Sequence, residues 1–236
     1  MRIIGRDELL KTKNSNTIVV YGCGLSINSI GKKQRSILSK FDSIGFNWFC
    51  KSDIPTTFYL LREQCSNEKR IDQGETTKDL LRLLSKREAC YIIAKMESSN
   101  KLFKEGVIDK IDKNGVILDD VPCQSRPKRF LNHIDKDIFK EGLYHGRNTL
   151  FSVMHFVHFM GYKRIIFAGV DLNDSKYFWL GNKRRHTVKK KVTHRHKTAD
   201  DTISLIRMYN AKYDAKLMTI NPKSLLAKRI SVFSFK

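Results

Sequence analysis

The chain has 236 residues, enough for one α/β domain that buries roughly 70% of its unfolded surface, and it carries 45 Lys and Arg residues against 24 Asp and Glu residues. The formal net charge of +21 favours an anionic partner, whether a nucleic acid, an anionic membrane surface or a charged sugar. No apolar run reaches the roughly 20 residues of a membrane span, and the N-terminus is too charged for a signal peptide, so we expect a cytoplasmic protein. The five cysteines are scattered and lack C-x-x-C spacing, which argues against a disulfide framework or a zinc finger. We therefore expect reduced thiols.

In the first half of the chain, short β-branched and aromatic runs alternate with a longer amphipathic stretch. An Asn-Gly pair at 114 and 115 within an alternating stretch predicts a tight β-hairpin there. The predicted elements are strands over 17–21, 43–49, 56–61 and 90–96, a short polar helix after the first strand, and a helix over 75–87.

The second half continues the alternation of helices and strands. A helix is predicted from Asn148 to Met160, ended by Gly161, followed by the buried strand "KRIIFAGVDL", which emerges at Asp171. The next helix, "DDTISLIRMYNAKY", is expected to be capped by Asp200 or Asp201. "AKLMTIN" then predicts a last strand, and "PKSLLAKR" a terminal turn or helix.

This alternation predicts an α/β fold: a Rossmann-like, mostly parallel sheet flanked by helices, with a small basic lid segment. No repeat or linker divides residues 1–236, so we expect a single domain. The stretch 183–197, "KRRHTVKKKVTHRHK", holds eight Lys or Arg and three His residues with no acid. Such dense charge favours a solvated, mobile loop. Two alternative interpretations are a lid over 175–198 that closes on an anionic ligand and a segment that contacts anionic lipid.

The turn after the first strand, in "VVYGCGLSINSIGKK" (19–33), contains two glycines and a serine. A dinucleotide fingerprint would need a third glycine where Ile27 stands and an acid where Asn47 stands, and the Gly-Lys-Ser/Thr of a P-loop is absent. The surviving hypothesis is that Gly22 and Gly24 let backbone N–H groups approach an anion, while Ser26 caps a helix or binds the ligand. A purely structural turn is the alternative.

Four stretches taken in order strengthen the first hypothesis: "YGCGLSINSI", "FNWF", "GYKRIIFAGVDLND" and "NPKSLLAK". Their layout resembles the bacterial sialyltransferases of glycosyltransferase family 42, which carry G-N-G-x-S, an asparagine after the second strand, G-Y-K-x-I-x-x-x-G-x-D and P-x-S-L-L. The resemblance extends from Thr17 to Lys228 except for residues 62–140. Kdo transferases of lipopolysaccharide cores are similar over the same segments.

The resemblance implies an inverting transfer of sialic acid, or of Kdo, from its CMP conjugate to a lipooligosaccharide or capsular glycan. It implies that His196 is the general base, that Tyr177 and Arg147 stabilise the leaving phosphate and the donor, and that no metal or other cofactor is needed. The donor-binding residues it implies are Gly22, Cys23, Gly24, Ser26, Asn47, Asn148, Thr149, Asp171 and Ser224.

Three positions depart from the family pattern. Its first-loop asparagine is Cys23 here, its asparagine after the third strand is matched to Leu60, and the first of its two tyrosines beyond the aspartate is Asn173. These departures put the identity of the donor, and activity itself, in question.

Several of these residues also have a structural interpretation. His194 and His196 are then solvated members of the basic run, and His-Arg-His lacks partners at the spacing of a zinc site. His155 and His158 are expected to pack in or beside the core. Asp171 then caps backbone N–H groups, and residues 177–179 anchor a lid through their rings.

Three functional classes remain open from the sequence. The first is a CMP-sugar glycosyltransferase that is cytoplasmic and makes peripheral contact with the anionic inner membrane. The sequence is compatible with an oligomer of this enzyme. The second is a basic nucleic-acid-binding protein, which the charge favours but which lacks RNP, helix-turn-helix and KH signatures, so we do not expect nucleic acid as the partner. The third is a noncatalytic glycan-binding module.

Overall fold

The computed structural model describes residues 1–62, 82–87, 90–96, 112–122, 126–146, 148–172, 177–180 and 195–235. Within these ranges, ten strands form one sheet. They are β1 (Arg2–Ile3), β2 (Thr17–Tyr21), β3 (Asp42–Phe46), β4 (Phe58–Arg62), β5 (Tyr91–Met96), β6 (Asn114–Pro122), β7 (Leu143–His145), β8 (Arg164–Ala168), β9 (Lys216–Thr219) and β10 (Ser231–Val232).

The strand order is β1-β6-β5-β4-β3-β2-β8-β9-β10, with β7 paired to the end of β6, and all pairings between these strands are parallel. Starting from β2, the chain first builds the sheet outward through β3 to β6 and then returns to add β8 on the other side of β2. This reversal is a topological switch point, where the loops after β2 and β8 diverge and leave a crevice. The α/β fold with a mostly parallel sheet is confirmed.

Helices cover the two faces of the sheet. They are α1 (Arg6–Lys11), α2 (Lys32–Leu38), α3 (Pro127–Leu131), α4 (Ile138–Glu141), α5 (Thr149–Phe159) and α6 (Arg195–Lys212). Short 3-10 helices follow three of the strands, over Leu25–Ser29, Asn47–Lys51 and Leu225–Lys228, another spans Phe178–Leu180, and residues 82–85 are helical.

The central strands are buried on both faces, which explains their continuous apolar runs. Side chains of β2 alternate between two core clusters: Ile18 and Val20 join one with α5 and α6, whereas Val19 and Tyr21 join the other with the 3-10 segments. Cys23, Cys50 and Cys90, the cysteines within the described residues, are buried.

The predicted second-half elements are largely confirmed. The side chain of Asn148 caps α5 by accepting a hydrogen bond from the Leu150 amide at 3.0 Å, and Gly161 ends the helix with a φ of 68°. His155 is fully buried and His158 is half-buried beside the core, also as expected.

Four predictions about elements are wrong. Asn114 and Gly115 begin β6, which pairs in parallel with β1 and β5, so they form no hairpin turn; a Cβ at Gly115 would lie 2.4 Å from the Ile92 carbonyl oxygen, so close packing explains this glycine. The second predicted strand stops at Phe46 because Asn47 turns the chain with a φ of 55°. The helix predicted to be capped by Asp200 or Asp201 begins earlier, at Arg195. The predicted last strand, β9, is followed by β10.

No helix among the described ranges is long and apolar enough to cross a membrane.

Candidate functional site

A pocket of about 260 Å³ lies at the switch point, at the edge of the sheet where the parallel strands end, here called the carboxyl edge. The loops after β2, β3 and β8, the start of α5 and one turn of α6 enclose it. Its lining residues are Gly22, Cys23, Gly24, Phe46, Asn47, Asn148, Thr149, Leu150, Gly169, Val170, Asp171, Leu172, Tyr177 and Thr202.

The two glycines after β2 allow the loops after β2 and β8 to touch. A Cβ at Gly22 would lie 2.5 Å from the Gly169 carbonyl oxygen, and one at Gly24 would lie 2.3 Å from Asp171 Oδ2. The amide of Gly22 donates to the Ala168 carbonyl at 2.8 Å and that of Gly24 to the Gly169 carbonyl at 2.7 Å. The amides of Gly22 and Gly24 are thus engaged by the end of β8 and the loop after it, and the approach of other backbone N–H groups of this turn to an anion stays a prediction.

Asp171 joins three of the loops at the carboxyl edge. Its carboxylate, in a residue only 6% exposed, accepts hydrogen bonds from the Ser26 amide at 3.0 Å, the Ser26 hydroxyl at 2.5 Å and the Asn221 side-chain amide at 2.8 Å. Ser26 follows β2, Asp171 follows β8 and Asn221 follows β9. The carboxylate thus caps a backbone amide, as its structural interpretation expected, while it lines the pocket.

Ser224 lies behind this carboxylate, outside the pocket lining. Its hydroxyl, in a residue 2% exposed, donates to the carbonyls of Val170 at 2.9 Å and Asp171 at 3.1 Å and accepts from the Leu226 amide. Its described contacts stabilise the loop after β8 and begin the following 3-10 helix.

Asn47 and the start of α5 form the opposite wall. The Asn47 side-chain oxygen accepts a hydrogen bond from the Thr149 hydroxyl at 3.0 Å, and its backbone carbonyl accepts one from the Tyr59 hydroxyl. Burial raises the pKa of Tyr59 well above its usual value, so this hydroxyl remains a donor. The Asn148 side chain donates to the Thr202 hydroxyl at 2.9 Å, which connects α5 to α6.

The backbone of the pocket holds an unusual conformation at two side-chain-bearing positions. Among the described residues, Asn47 (φ 55°) and Leu172 (φ 62°) are the non-glycine residues with positive φ, and both line the pocket. Asparagine tolerates this region, but for leucine it costs about 1–2 kcal/mol. Strain concentrated at a cleft is typical of ligand-binding sites.

Tyr177 lines the pocket beside the loop after β2. It forms an isolated antiparallel bridge with Gly24, and its ring stacks on Trp179 with centroids 4.5 Å apart. Phe178 is buried, and its carbonyl accepts a hydrogen bond from the Asn28 side chain at 2.8 Å. The rings of this segment therefore anchor it against the loop after β2.

The structure brings together most of the residues named from the sequence. Eight of them line the pocket: Gly22, Cys23, Gly24, Asn47, Asn148, Thr149, Asp171 and Tyr177. Ser26 and Ser224 lie outside the pocket lining and hydrogen-bond to the side chain and the backbone carbonyl of Asp171, respectively. Arg147 lies outside the described residues, as do Asn173 and most of the stretch 175–198, and of His196 only the backbone, in the first turn of α6, is described.

The match of Leu60 to a strand-end asparagine is wrong. Leu60 lies in the middle of β4, between Phe46 of β3 and Ile93 of β5, and is 1% exposed. A residue at the carboxyl edge of β4 would follow Arg62, beyond this described range.

Sequence reasoning missed several lining residues, notably Thr202, Leu172 and the supporting Asn221. Thr202 is 1% exposed and directly follows the acidic pair at 200 and 201 that was taken for a cap. The Asn-Pro at 221 and 222 after a strand was the available signal for a strand-end turn.

The sheet order and the pocket at its switch point are those of the open α/β proteins, a class in which ligands bind at the carboxyl edge. No protein-family model and no curated protein sequence matches the chain. The fold matches that of an α-2,3-sialyltransferase from Campylobacter jejuni in apo form, with a TM-score of 0.51, 15% identity, and coverage of 94% of this chain and 82% of that one. It also matches the sialyltransferase CstII from Campylobacter jejuni in complex with the substrate analogue CMP-3FNeuAc. This match has a TM-score of 0.50 and 18% identity, and it covers 92% of this chain and 84% of that one. The chain therefore has the fold of these bacterial sialyltransferases.

Proposed function

We propose that the protein is a glycosyltransferase that moves sialic acid, or the related 2-keto sugar acid Kdo, from its CMP conjugate to a hydroxyl of a lipooligosaccharide or capsular glycan. The observation that carries this proposal is the switch-point pocket, in which eight residues suggested by the family resemblance converge within a sialyltransferase fold. Their separation in sequence, from Gly22 to Tyr177, makes the convergence informative.

In the proposed complex, the nucleotide monophosphate lies over the loops after β2 and β8, with Asn47, Asn148 and Thr149 supplying polar contacts. Asp171 and Ser224 hold the loops in place. A carboxylate that already accepts three hydrogen bonds is a poor partner for a phosphate, so we assign Asp171 a positioning role.

The proposed reaction breaks one bond and forms one. The acceptor hydroxyl attacks the anomeric carbon, the bond from that carbon to the phosphate oxygen breaks, and CMP leaves with the electron pair. His196 takes the hydroxyl proton, and Arg147 and Tyr177 donate to the departing phosphate. A positioned base contributes typically 10²–10⁴-fold to such a rate, and donors aimed at the developing charge contribute a comparable factor.

CMP carries a single phosphate, so side-chain donors suffice and we propose that no metal is required. The high positive charge of the chain suits an anionic donor and an acceptor presented at an anionic membrane. Activity measured in EDTA tests the first point, and binding to vesicles that contain phosphatidylglycerol tests the second.

The decisive experiment combines calorimetry with CMP and an assay of CMP release from CMP-sialic acid and CMP-Kdo. We expect CMP to bind and one donor to be turned over, with turnover lost in His196→Ala and retained in the matched control His194→Ala. CMP binding without turnover of either donor would favour the noncatalytic module. Salt-sensitive RNA binding without CMP binding would favour the nucleic-acid-binding protein.

A further inference from the structure

A second polar cluster lies at the carboxyl edge, on the side of β5, β6 and β7. One carboxylate oxygen of Asp120, Oδ1, lies 2.6 Å from Lys95 Nζ and 2.5 Å from His145 Nδ1. The Lys95 ammonium also donates to the Ser152 hydroxyl, in the first turns of α5, at 2.9 Å. Each of the three ionisable residues comes from the last residues of its strand.

The cluster is buried, and stability alone does not account for it. The side chains of Lys95 and Asp120 are 0% and 3% exposed. Removing two charges from water costs several kcal/mol per ion, and apolar residues of similar volume would stabilise this position as well or better. The neighbouring ends of β5 and β6 therefore retain a buried ammonium and a buried carboxylate at an energetic cost.

The geometry orients the imidazole of His145. Burial alone would raise the pKa of Asp120, but the hydrogen bond from His145 and the charge of Lys95 lower it overall, so the carboxylate is ionised. A nitrogen that faces an ionised carboxylate carries the hydrogen, so Nδ1 is the donor. In the neutral ring Nε2 is then an acceptor, and none of the described residues bonds to it.

His145 is held close to the pocket. It is three residues before Asn148, which lines the pocket, so the two Cα atoms are at most about 11 Å apart. Gly146 between them packs against the ring of Phe151, where a Cβ would lie 2.3 Å from Cδ1. The His145 side chain is 17% exposed, whereas the groups behind it are closed to solvent.

We propose that His145 binds the acceptor glycan of the proposed transfer: its Nε2 accepts a hydrogen bond from a sugar hydroxyl, and Asp120 and Lys95 are positioning residues that fix the ring. This inference rests on the proposed function and extends it to the second substrate. The donor contacts lie at β2, β3 and β8, and the acceptor enters from the side of β5 to β7. An Asp-oriented histidine combined with a buried lysine that balances the carboxylate charge suits a neutral, polyhydroxylated ligand.

Two variants of His145 separate binding from a structural role. In His145→Asn, the side-chain NH₂ group replaces Nδ1 as the donor to Asp120, but no acceptor remains at the position of Nε2. In His145→Gln, the longer side chain places an acceptor at the position of Nε2, but the hydrogen bond to Asp120 is lost. We expect His145→Asn to raise the KM for the acceptor about 3- to 10-fold with an unchanged KM for the CMP-sugar. His145→Gln should show a smaller rise. A purely structural histidine predicts the reverse order, because only the asparagine keeps the bond to Asp120.

The assay follows CMP release from CMP-sialic acid and CMP-Kdo with the neutral glycans lactose or lacto-N-neotetraose as the acceptor. His158→Asn is the matched control, since His158 Nε2 lies 2.9 Å from Asp135 Oδ1 at the far end of α5, away from the carboxyl edge, and its kinetic constants should match the wild type. An unchanged acceptor KM in His145→Asn would overturn this inference and leave the proposed function standing. If none of the acceptors stimulated release and CMP did not bind, the proposed function itself would fail.

Discussion

The hydroxyl of Ser26 donates a 2.5 Å hydrogen bond to the carboxylate of Asp171, a residue 145 positions further along the chain. The Ser26 amide and the Asn221 side chain donate to the same carboxylate, so a single acid fixes the relative positions of the loops after β2, β8 and β9. The shape of the pocket depends on these loops, so we expect a change at this carboxylate to alter both the stability of the fold and the proposed binding of CMP in the pocket.

Replacing this acid with its amide should weaken both properties. In Asp171→Asn, one carboxylate oxygen becomes an NH₂ group, which cannot accept a hydrogen bond from the donor that it faces. We therefore expect a loss of about 2–4 kcal/mol in the free energy of unfolding and weaker CMP binding. Urea unfolding and calorimetry with CMP measure the two effects. The control Asp53→Asn removes an exposed carboxylate 2.7 Å from Arg35 and should cost less than about 1 kcal/mol. Equal losses in the two variants would contradict the role assigned to Asp171.

A methyl group at Gly24 should separate the loops after β2 and β8. The added Cβ of Gly24→Ala would lie 2.3 Å from Asp171 Oδ2 and 2.8 Å from the Gly169 carbonyl oxygen, and both neighbours are fixed by hydrogen bonds. Such overpacking typically costs about 1–3 kcal/mol, and the displaced Asp171 should lower CMP affinity as well.

Gly5→Ala is the matched control because a Cβ at this position would meet nothing within 4 Å, and the φ of −84° suits any residue. The loss of a good N-cap residue and the smaller entropy of the unfolded chain offset each other there, so thermal unfolding should change little. A Gly24→Ala protein as stable as Gly5→Ala would show that the loops are free to separate.

Two substitutions at Asn47 distinguish its backbone role from its side-chain role. Both Asn47→Gly and Asn47→Ala remove the hydrogen bond with Thr149, but only glycine adopts a φ of 55° without a steric penalty. We expect the glycine variant to be more stable than the alanine variant by about 1 kcal/mol, with the same reduction in CMP affinity. Denaturant unfolding provides the first comparison and calorimetry the second. A glycine variant with wild-type affinity would show that the Asn47 side chain does not contact the ligand.

Local sequence patterns were sufficient for the elements whose structure depends on local physics. The apolar run at 17–21 and the Asn148 and Gly161 signals around α5 predicted a strand and a helix correctly, because burial and capping act within a few residues. The Asn-Gly pair at 114 and 115 was misleading: its glycine serves a close approach to the neighbouring strand β5, which no local pattern reveals.

The candidate site was predicted less completely, since its contacts join residues far apart in the chain. The amides of Gly22 and Gly24 have the spacing of an anion-binding turn, yet their partners are carbonyls at the end of β8 and on the loop after it. The cluster of Lys95, Asp120 and His145 carries no motif at all, because three separate strands place its members together. The resemblance to a known family identified the pocket residues that composition and periodicity could not.

His155 should make the fold sensitive to acid. Its Nδ1 accepts a hydrogen bond from the Tyr144 amide at 3.0 Å, and its Nε2 donates to the Lys136 carbonyl at 3.0 Å, so the buried ring is neutral. Burial lowers the pKa of His155 to about 4, against an ordinary value of 6.5 in the unfolded chain. The unfolded chain thus binds one more proton between these values. Stability from this residue is fully present above pH 6.5 and is lost as the pH falls toward 4, by about 3 kcal/mol in total.

Urea unfolding from about pH 7.5 to about pH 4 measures this contribution. In His155→Gln the side chain does not titrate, so the variant should be less stable at neutral pH but lose less stability on acidification than the wild type does. His158→Gln serves as the comparison: burial also lowers the pKa of His158, but the hydrogen bond to Asp135 opposes that shift, so this variant should flatten the pH profile less than His155→Gln does. If the wild type and His155→Gln had parallel pH profiles, the buried ring would not be the acid-sensitive group.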